Sequence, residues 1–308
     1  MVYIKLENSM DKFMENFTRI PKSAKKFIYK SKCRNGKFYF EKKEGIEFVV
    51  LPTINEKILS KLNTLAKVRC WRNVCVSDNL KNSEAISRIA KENDLRILSG
   101  KWLMKIMVDK ILEYIVEMKN EVISNKEVTI LCNNIDETCL EKIKEIAANV
   151  KICNVLTNNQ KQFQKLEEEF YQIKGIILNV SNNYKKSASK SNIIINFDFT
   201  NKDLEKCVFQ KNAYIINLCE NELKKDLKNI TFAEIVLPEK YKKSVEDFDG
   251  FNNMSLYESF IYKNTSYKNL KKEIFLDGVE IVYLIDFEGK IIKNSNLNFG
   301  KTLDKIVI

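Results

Sequence analysis

Residues 127–156 read EVTILCNNIDETCLEKIKEIAANVKICNVL, and this stretch decides the fold of the chain. Its two ends are short apolar runs rich in β-branched residues, which is typical of strands that a parallel sheet buries on both faces. Between them, apolar residues recur at helical spacing at Leu140, Ile143, Ile146 and Ala147. The stretch therefore predicts a strand, a helix and a second strand, which is the βαβ unit of a parallel sheet.

The same alternation of apolar runs and amphipathic segments continues further along the chain. It predicts a Rossmann-like parallel sheet with helices on both faces. The predicted strands are Glu127–Cys132, Val150–Leu156, Gly175–Val180, Asn192–Phe197 and Ala213–Leu218, with Phe232–Leu237 as a sixth candidate.

Length and composition indicate a globular protein of two domains, since the chain has 308 residues, of which 44% are hydrophobic and 30% charged. The predicted fold class is α/β, with an N-terminal α/β domain and a Rossmann-like parallel-sheet domain joined by a long helix. We place the N-terminal domain at 1–98, the linking helix at 99–120 and the Rossmann-like domain at 121–240. Residues 241–308 are predicted to form helices and a hairpin that pack on the two domains.

No apolar run of the sequence approaches the length of a membrane span, and the start MVYIKLENSMDKF lacks the apolar region of a signal peptide. We therefore expect a cytoplasmic protein without a membrane span.

The chain contains no histidine, and its eight cysteines form no C-x-x-C pair. A catalytic pair with histidine is excluded, so any general acid or base must be Lys, Asp, Glu, Tyr or Cys. A zinc site would need improbable ligand geometry, and no metal site is predicted. We interpret the cysteines as buried free thiols, which pack as small apolar side chains.

The formal net charge of +11 is spread along the chain, because lysines alternate with acids in most segments. The densest basic segments are Lys22–Lys32 and Lys185–Lys190, and neither matches a recognition motif for nucleic acid. We interpret the charge as a solvated basic surface. Weak non-specific attraction to nucleic acid or to an anionic membrane is the alternative.

A dinucleotide site needs glycines in the first strand-to-helix turn, free N–H groups at the helix start, and a ribose-binding residue after the second strand. The turn at 132–138 reads CNNIDET and contains no glycine. Asp136 and Glu137 place negative charge where the diphosphate would lie. Residues 157–159 read TNN, with no acid for a ribose and no arginine for a phosphate. We therefore predict no cofactor.

Three segments nevertheless resemble motifs of the shikimate dehydrogenase family and, more distantly, of the glutamyl-tRNA reductases. VSDNLK at 76–81 is similar to V-T-x-P-x-K, TNN at 157–159 to N-R-T, and NVS at 179–181 to N-A-T. The resemblance implies a two-domain dehydrogenase fold, NAD or NADP as cofactor, and Lys81 as the catalytic lysine. The sequence lacks the arginine of the second motif, and it has no acid near Ser99 and Gly100 to partner the lysine.

Ligands of open α/β sheets bind at the carboxyl ends of the strands, where this chain places several polar residues. The predicted ligand-binding cleft comprises Asn133, Asn134, Thr157, Asn158, Asn179, Ser181 and Asn182. The alternative is that these residues only cap turns and helices, and that Lys81 is a surface lysine beside a helix cap.

Two functional hypotheses of different classes remain, and a third is weaker. The favoured one is a degenerate Rossmann-like protein that performs no hydride transfer and binds an unknown ligand or protein partner. The alternative is an NAD(P)-dependent oxidoreductase of shikimate dehydrogenase-like type with an unorthodox nucleotide turn. A nucleic-acid-binding accessory protein is the third, and it depends on net charge alone.

Overall fold

The structure is a computed structural model in which two compact units are present. It describes residues 1–7, 9–15, 17–43, 46–81, 83–174, 178–219, 227–242, 248–262 and 267–294. The first unit comprises Met1–Gly100 and Leu237–Lys263, and the second comprises Lys101–Val236 and Asn264–Ile308. The segment 241–308, predicted to pack on both domains, is thus divided between the two units at residue 263.

The secondary structure is numbered in chain order over the described residues. The strands are β1 Val2–Leu6, β2 Tyr39–Lys43, β3 Ile46–Leu51, β4 Asn73–Val76, β5 Arg96–Leu98, β6 Glu127–Leu131, β7 Ile152–Leu156, β8 Leu178–Ser181, β9 Ile193–Asn196, β10 Tyr214–Asn217, β11 Lys228–Ile235, β12 Ile281–Asp286 and β13 Ile291–Ile292. The helices are α1 Met10–Phe13, α2 Lys22–Arg34, α3 Glu56–Val68, α4 Glu84–Glu92, α5 Lys101–Ile106, α6 Val108–Met118, α7 Glu137–Asn149, α8 Gln160–Lys174, α9 Tyr184–Ala188, α10 Asn201–Leu204, α11 Glu239–Lys242, α12 Asn253–Ile261 and α13 Tyr267–Leu276.

The sheet of the first unit has the order β2-β3-β1-β4-β5 over its described strands. Only β2 pairs antiparallel, with β3, and the other neighbours are parallel. Helix α3 begins where the Asn55 side chain accepts the Ile58 N–H group at 3.0 Å. From α3, Ile58 and Leu62 are wholly buried against the sheet, as are Val49 and Leu51 of β3.

The sheet of the second unit has the order β13-β12-β11-β10-β9-β6-β7-β8 over its described strands. The six strands from β11 to β8 are parallel, and their order is the one that defines the doubly wound dinucleotide-binding fold. β12 and β13 extend the sheet antiparallel at the β11 side. The predicted α/β class, with a Rossmann-like parallel sheet, is confirmed.

Individual strand bounds differ from the prediction by a few residues. The strand predicted at Asn192–Phe197 spans Ile193–Asn196 and lies in the middle of the sheet. The last parallel strand begins at Lys228, four residues before the predicted start, because Lys228 and Asn229 already pair with β10. Of the strand predicted at Gly175–Val180, residues 175–177 lie outside the described part of the chain.

The helix predicted at 99–120 is divided into α5 and α6. The two meet at Met107, whose backbone angles of φ −98° and ψ 12° leave the helical region. The expectation of one uninterrupted helix is therefore corrected, although its apolar stripe is buried as predicted, with Leu103 and Ile111 wholly so. Both helices belong to the second unit. None of the described helices is both long enough and apolar enough to cross a membrane.

All eight cysteines are described, and all are free. Cys75, Cys132, Cys139 and Cys153 are buried, whereas Cys70 is exposed. Desolvation by burial raises the pKa of Cys153 to about 12. Since the thiolate is the reactive form, the buried thiols should react very slowly at neutral pH.

We expect native alkylation at pH 7.5, followed by peptide mass spectrometry, to label Cys70 first. The four buried thiols should stay unmodified until denaturant is added. Rapid labelling of Cys153 in the native protein would contradict the position of β7 in the core.

Candidate functional site

The reversal of strand order in the second unit lies between β6 and β9, which are neighbours in the sheet. Right-handed crossovers send the chain in opposite directions from these two strands, and this opens a crevice at their carboxyl ends. The residues that border it are those of the turn 132–136 after β6, of 157–159 after β7, and of 197–200 after β9. We call this region the switch-point crevice.

The carboxylate of Asp198 lies across the switch-point crevice and binds the turn after β6. Its Oδ1 accepts the backbone N–H of Asn133 at 2.7 Å, and its Oδ2 accepts the backbone N–H of Asn134 at 2.7 Å. The same Oδ2 accepts the side-chain amide of Asn134 at 2.9 Å. In a dinucleotide site the pyrophosphate lies at this turn, against the start of the helix that follows it. A carboxylate of the protein thus binds two N–H groups of this turn, ahead of the start of α7 at Glu137.

Two further side-chain oxygens of this turn also have partners within the protein. The side-chain oxygen of Asn133 accepts the backbone N–H of Asn158 at 2.7 Å, which ties the ends of β6 and β7 together. Asp136 caps α7 by accepting the N–H of Cys139 at 2.7 Å. The turn is therefore held from both sides, by Asn158 and by Asp198.

The segment after β7 is stabilised by its own side chains. Thr157 is wholly buried, and its hydroxyl accepts the N–H of Asn159 at 3.0 Å. The Asn159 amide donates to Gln162 in the first turn of α8 at 2.8 Å. Asn158 also donates to the carboxylate of Asp203 at 3.4 Å. These contacts give Thr157 and Asn159 a local role in the turn that leads into α8.

The predicted ligand-binding residues on and after β8 lie one strand further from the switch point than the residues that follow β7. Asn179 donates to the side chain of Asn154 on β7 at 3.1 Å. The hydroxyl of Ser181 accepts the N–H of Asn183 at 3.0 Å. The structure thus brings together Asn133, Asn134 and Asn158. Asn179 bonds instead to β7, Ser181 bonds to the loop after β8, and Asn182 directly follows β8. Ligand binding by the predicted residues stays a prediction.

Asp198 was missed by the sequence prediction. The signal that could have identified it is an acid directly after the fourth strand of the doubly wound order, at the point where that strand lies beside the first. Its role depends on a contact with Asn133 and Asn134, more than 60 residues earlier in the chain.

Lys81, the predicted catalytic lysine, lies in the first unit directly after the short 3₁₀ helix Asp78–Leu80. Its ammonium group is 3.0 Å from the Asp78 carboxylate, and its side chain is 17% exposed. Asp78 also accepts the side-chain amide of Asn252 at 2.6 Å. The Lys81 ammonium group therefore has a carboxylate partner within its own segment. A catalytic role for Lys81 stays a prediction.

No group of three or more Cys, Asp or Glu side chains in the described ranges has the arrangement of a metal site.

No family model matches the chain, and no curated protein matches it. Similar solved structures include L-tryptophan dehydrogenase from Nostoc punctiforme, with 11% identity and a TM-score of 0.34 over 90% of this chain and 80% of that one. Dipicolinate synthase A chain from Bacillus subtilis has 11% identity and a TM-score of 0.29, over 46% of this chain and 48% of that one. The formate dehydrogenase of Granulicella has 13% identity and a TM-score of 0.31, over 57% and 59%. At these TM-scores the likeness carries no inference about activity. The strand order itself defines the fold.

Proposed function

We propose that the second unit is a Rossmann-like domain that does not bind dinucleotides, and that the protein acts by binding a ligand or protein partner without hydride transfer. The observation that supports this is the carboxylate of Asp198 on the N–H groups of Asn133 and Asn134. The chain's own anion therefore lies at the turn where a pyrophosphate would bind, and it opposes that binding.

The energetic cost of admitting a dinucleotide follows from these contacts. If Asp198 stayed, its charge would face the pyrophosphate across a few ångströms, which costs on the order of 1–4 kcal/mol at a partly desolvated site. If Asp198 moved away, it would lose hydrogen bonds of a charged acceptor, each worth about 1.5–3 kcal/mol. Since Asn134 is exposed, water screens the site and the lower end of these ranges applies. Even so, affinity should fall by roughly fivefold or more.

We expect isothermal titration of the native protein with NAD and NADP to show no binding in the micromolar range. The variant Asp198→Ala frees the N–H groups and removes one negative charge, so we expect it to bind pyrophosphate at least about fivefold more tightly than the native protein. Glu141→Ala is the matched control, because Glu141 lies on the neighbouring α7 and pairs with Lys144 at 3.0 Å. It removes the same charge without touching the turn.

Micromolar binding of either cofactor by the native protein would refute the proposal. If Asp198→Ala and Glu141→Ala gain the same affinity for pyrophosphate, the overall charge of the protein limits anion binding, and the contact of Asp198 with the turn does not.

The alternative function is an NAD(P)-dependent oxidoreductase of shikimate dehydrogenase-like type. The observation in its favour is the pairing of Lys81 with Asp78 at 3.0 Å, since the resemblance to that family implies a lysine–aspartate pair. Shikimate with NADP, followed at the absorbance of the reduced cofactor, tests it. Turnover that disappears in Lys81→Ala would favour this alternative, and the proposal expects no turnover.

A further inference from the structure

Helix α2 carries a row of cations on its outward face. Lys22, Lys26, Lys30 and Arg34 follow one another at intervals of four residues, and all four are exposed. In an α-helix this spacing puts them along one side, about 6 Å apart. The helix contains no acidic residue over its 13 positions. We call these four residues the basic stripe.

The opposite face of α2 attaches the helix to the first unit. The Tyr29 hydroxyl donates to the carbonyl of Pro52 at 3.0 Å, and the rings of Tyr29 and Phe13 pack with centroids 5.5 Å apart. Lys25 donates to the carbonyl of Met14 at 3.2 Å, and the Lys32 ammonium lies 4.0 Å from the Phe17 ring centroid. The lysines that face the unit are therefore engaged in its packing.

The cations of the basic stripe have no comparable contacts with the first unit among the described residues. Within the described part of the chain, none of its four cations forms an ion pair, whereas Lys12 pairs with Asp249 at 2.9 Å and Lys144 with Glu141 at 3.0 Å. A row of exposed like charges without acids between them attracts polyanions and repels other cations.

An aromatic ring stands next to the basic stripe. Phe27 is 77% exposed, although phenylalanine is normally one of the more buried residue types. It follows Lys26 directly and precedes Lys30 by three positions, so it belongs to the same outward surface. The sequence analysis found no recognition motif in this segment, because the sequence alone does not reveal that the Phe27 side chain is exposed.

We infer that the outward face of α2 binds single-stranded nucleic acid without preference for sequence. The basic stripe contacts successive phosphates, and Phe27 provides a face on which a base stacks. This combination of a cationic track with an exposed aromatic side chain is the general mode of sequence-tolerant single-strand binding. The inference uses residues of the first unit, so it does not depend on the function proposed for the second.

An anionic membrane is the competing partner for such a helix. A helix that lies in a membrane interface inserts a broad apolar face between the headgroups. In α2 that face is used against the protein's own unit through Tyr29, and Phe27 alone is left for insertion. The geometry therefore favours a linear polyanion over a lipid surface.

Fluorescence anisotropy with a labelled oligothymidylate of about 20 nucleotides tests the inference on the full chain. We expect binding at low salt, with a slope of log affinity against log salt of about −2 to −3, for three to four phosphates contacted on a single strand. The variant Lys26→Glu with Lys30→Glu should bind at least tenfold more weakly. The control Lys185→Glu with Lys186→Glu changes net charge equally at two exposed lysines of the other basic segment. The affinity of this control for the oligonucleotide should fall less than threefold.

The aromatic contact has its own matched pair of variants. Phe27→Ala should weaken binding at least fivefold, whereas Phe275→Ala should leave it unchanged, since both rings are 77% exposed in the native protein. The inference would be overturned if the two double lysine variants lost the same affinity for the oligonucleotide, or if the two phenylalanine variants did. Binding to phosphatidylserine vesicles without binding to the oligonucleotide at the same salt would overturn it as well, in favour of a membrane.

Discussion

Replacing Lys142 by methionine is expected to lower the free energy of unfolding by about 3 kcal/mol. The side chain of Lys142 on α7 is 1% exposed, and its ammonium group lies 2.7 Å from the Asp109 carboxylate and 2.8 Å from that of Glu145. The Lys271 ammonium also pairs with Glu145. Methionine fills similar space but leaves Asp109 and Glu145 as partly buried charges without this counter-ion.

Lys144→Met is the matched control on the same helix. Lys144 pairs with Glu141 at 3.0 Å, but about a third of each side chain is exposed. An exposed pair of this kind contributes about 0.2–1 kcal/mol. Urea denaturation followed by circular dichroism measures both variants. If both variants lost the same free energy of unfolding, the burial of Lys142 would add nothing to the stability that its ion pairs provide.

The cost of Lys142→Met should also depend on pH. Burial by itself would raise the pKa of the Glu145 carboxyl, but hydrogen bonds from Lys142 and Lys271 outweigh it and lower the net pKa. A group with a lowered folded-state pKa stabilises above its unfolded value, near ~4.3, and loses that contribution as pH falls through the folded value. The difference between native and variant protein should therefore shrink below about pH 4.

Asn196→Ala is expected to cost about 2–4 kcal/mol, because it leaves buried polar groups without partners. Asn196 at the end of β9 is wholly buried. Its oxygen accepts the Phe199 N–H at 2.9 Å, and its amide donates to the Asn217 side chain at 3.0 Å and to the Phe199 carbonyl at 3.3 Å. These bonds fix the loop that carries Asp198 across the switch-point crevice.

Two measurements separate the stability effect from the positioning effect. Asn125→Ala is the control, since this asparagine of the same unit is exposed and its side chain bonds to no described residue, so its replacement should stay within about 0.5 kcal/mol. In Asn196→Ala, amide hydrogen exchange at Asn133 and Asn134 should accelerate, because both N–H groups depend on Asp198. A full stability loss without faster exchange there would contradict the positioning role.

The central strands of the second sheet were predicted well from the sequence, because buried strands of this kind consist of uninterrupted apolar residues. Ile193, Ile194 and Ile195 are all wholly buried, and an uninterrupted apolar run of this length is recognisable without a structure. The start of β11 was missed because Lys228 and Asn229 do not look like strand residues. Asn229 nevertheless pairs with Ile215 of β10, and pairing of that kind depends on a neighbour and not on the residue itself.

The candidate site was predictable only where its contacts are local. Asn133 and Asn134 follow a strand and precede a helix, so their place at the crevice could be inferred from order alone. Asp198 required knowledge of which strand ends lie side by side. The division of the helix at Met107 had no signal either, because neither proline nor glycine stands near it.

The first unit is completed by helix α12, which packs on β4 and β5, and seven of its nine residues are buried. About 150 residues separate the end of β5 from the start of α12, so at typical translation speeds roughly 8–30 s pass between their emergence from the ribosome. During this time the nascent chain carries β4 and β5 without their covering helix. The apolar surface beneath α12 is then open to other chains, and this interval is when the newly made protein most needs protection from aggregation.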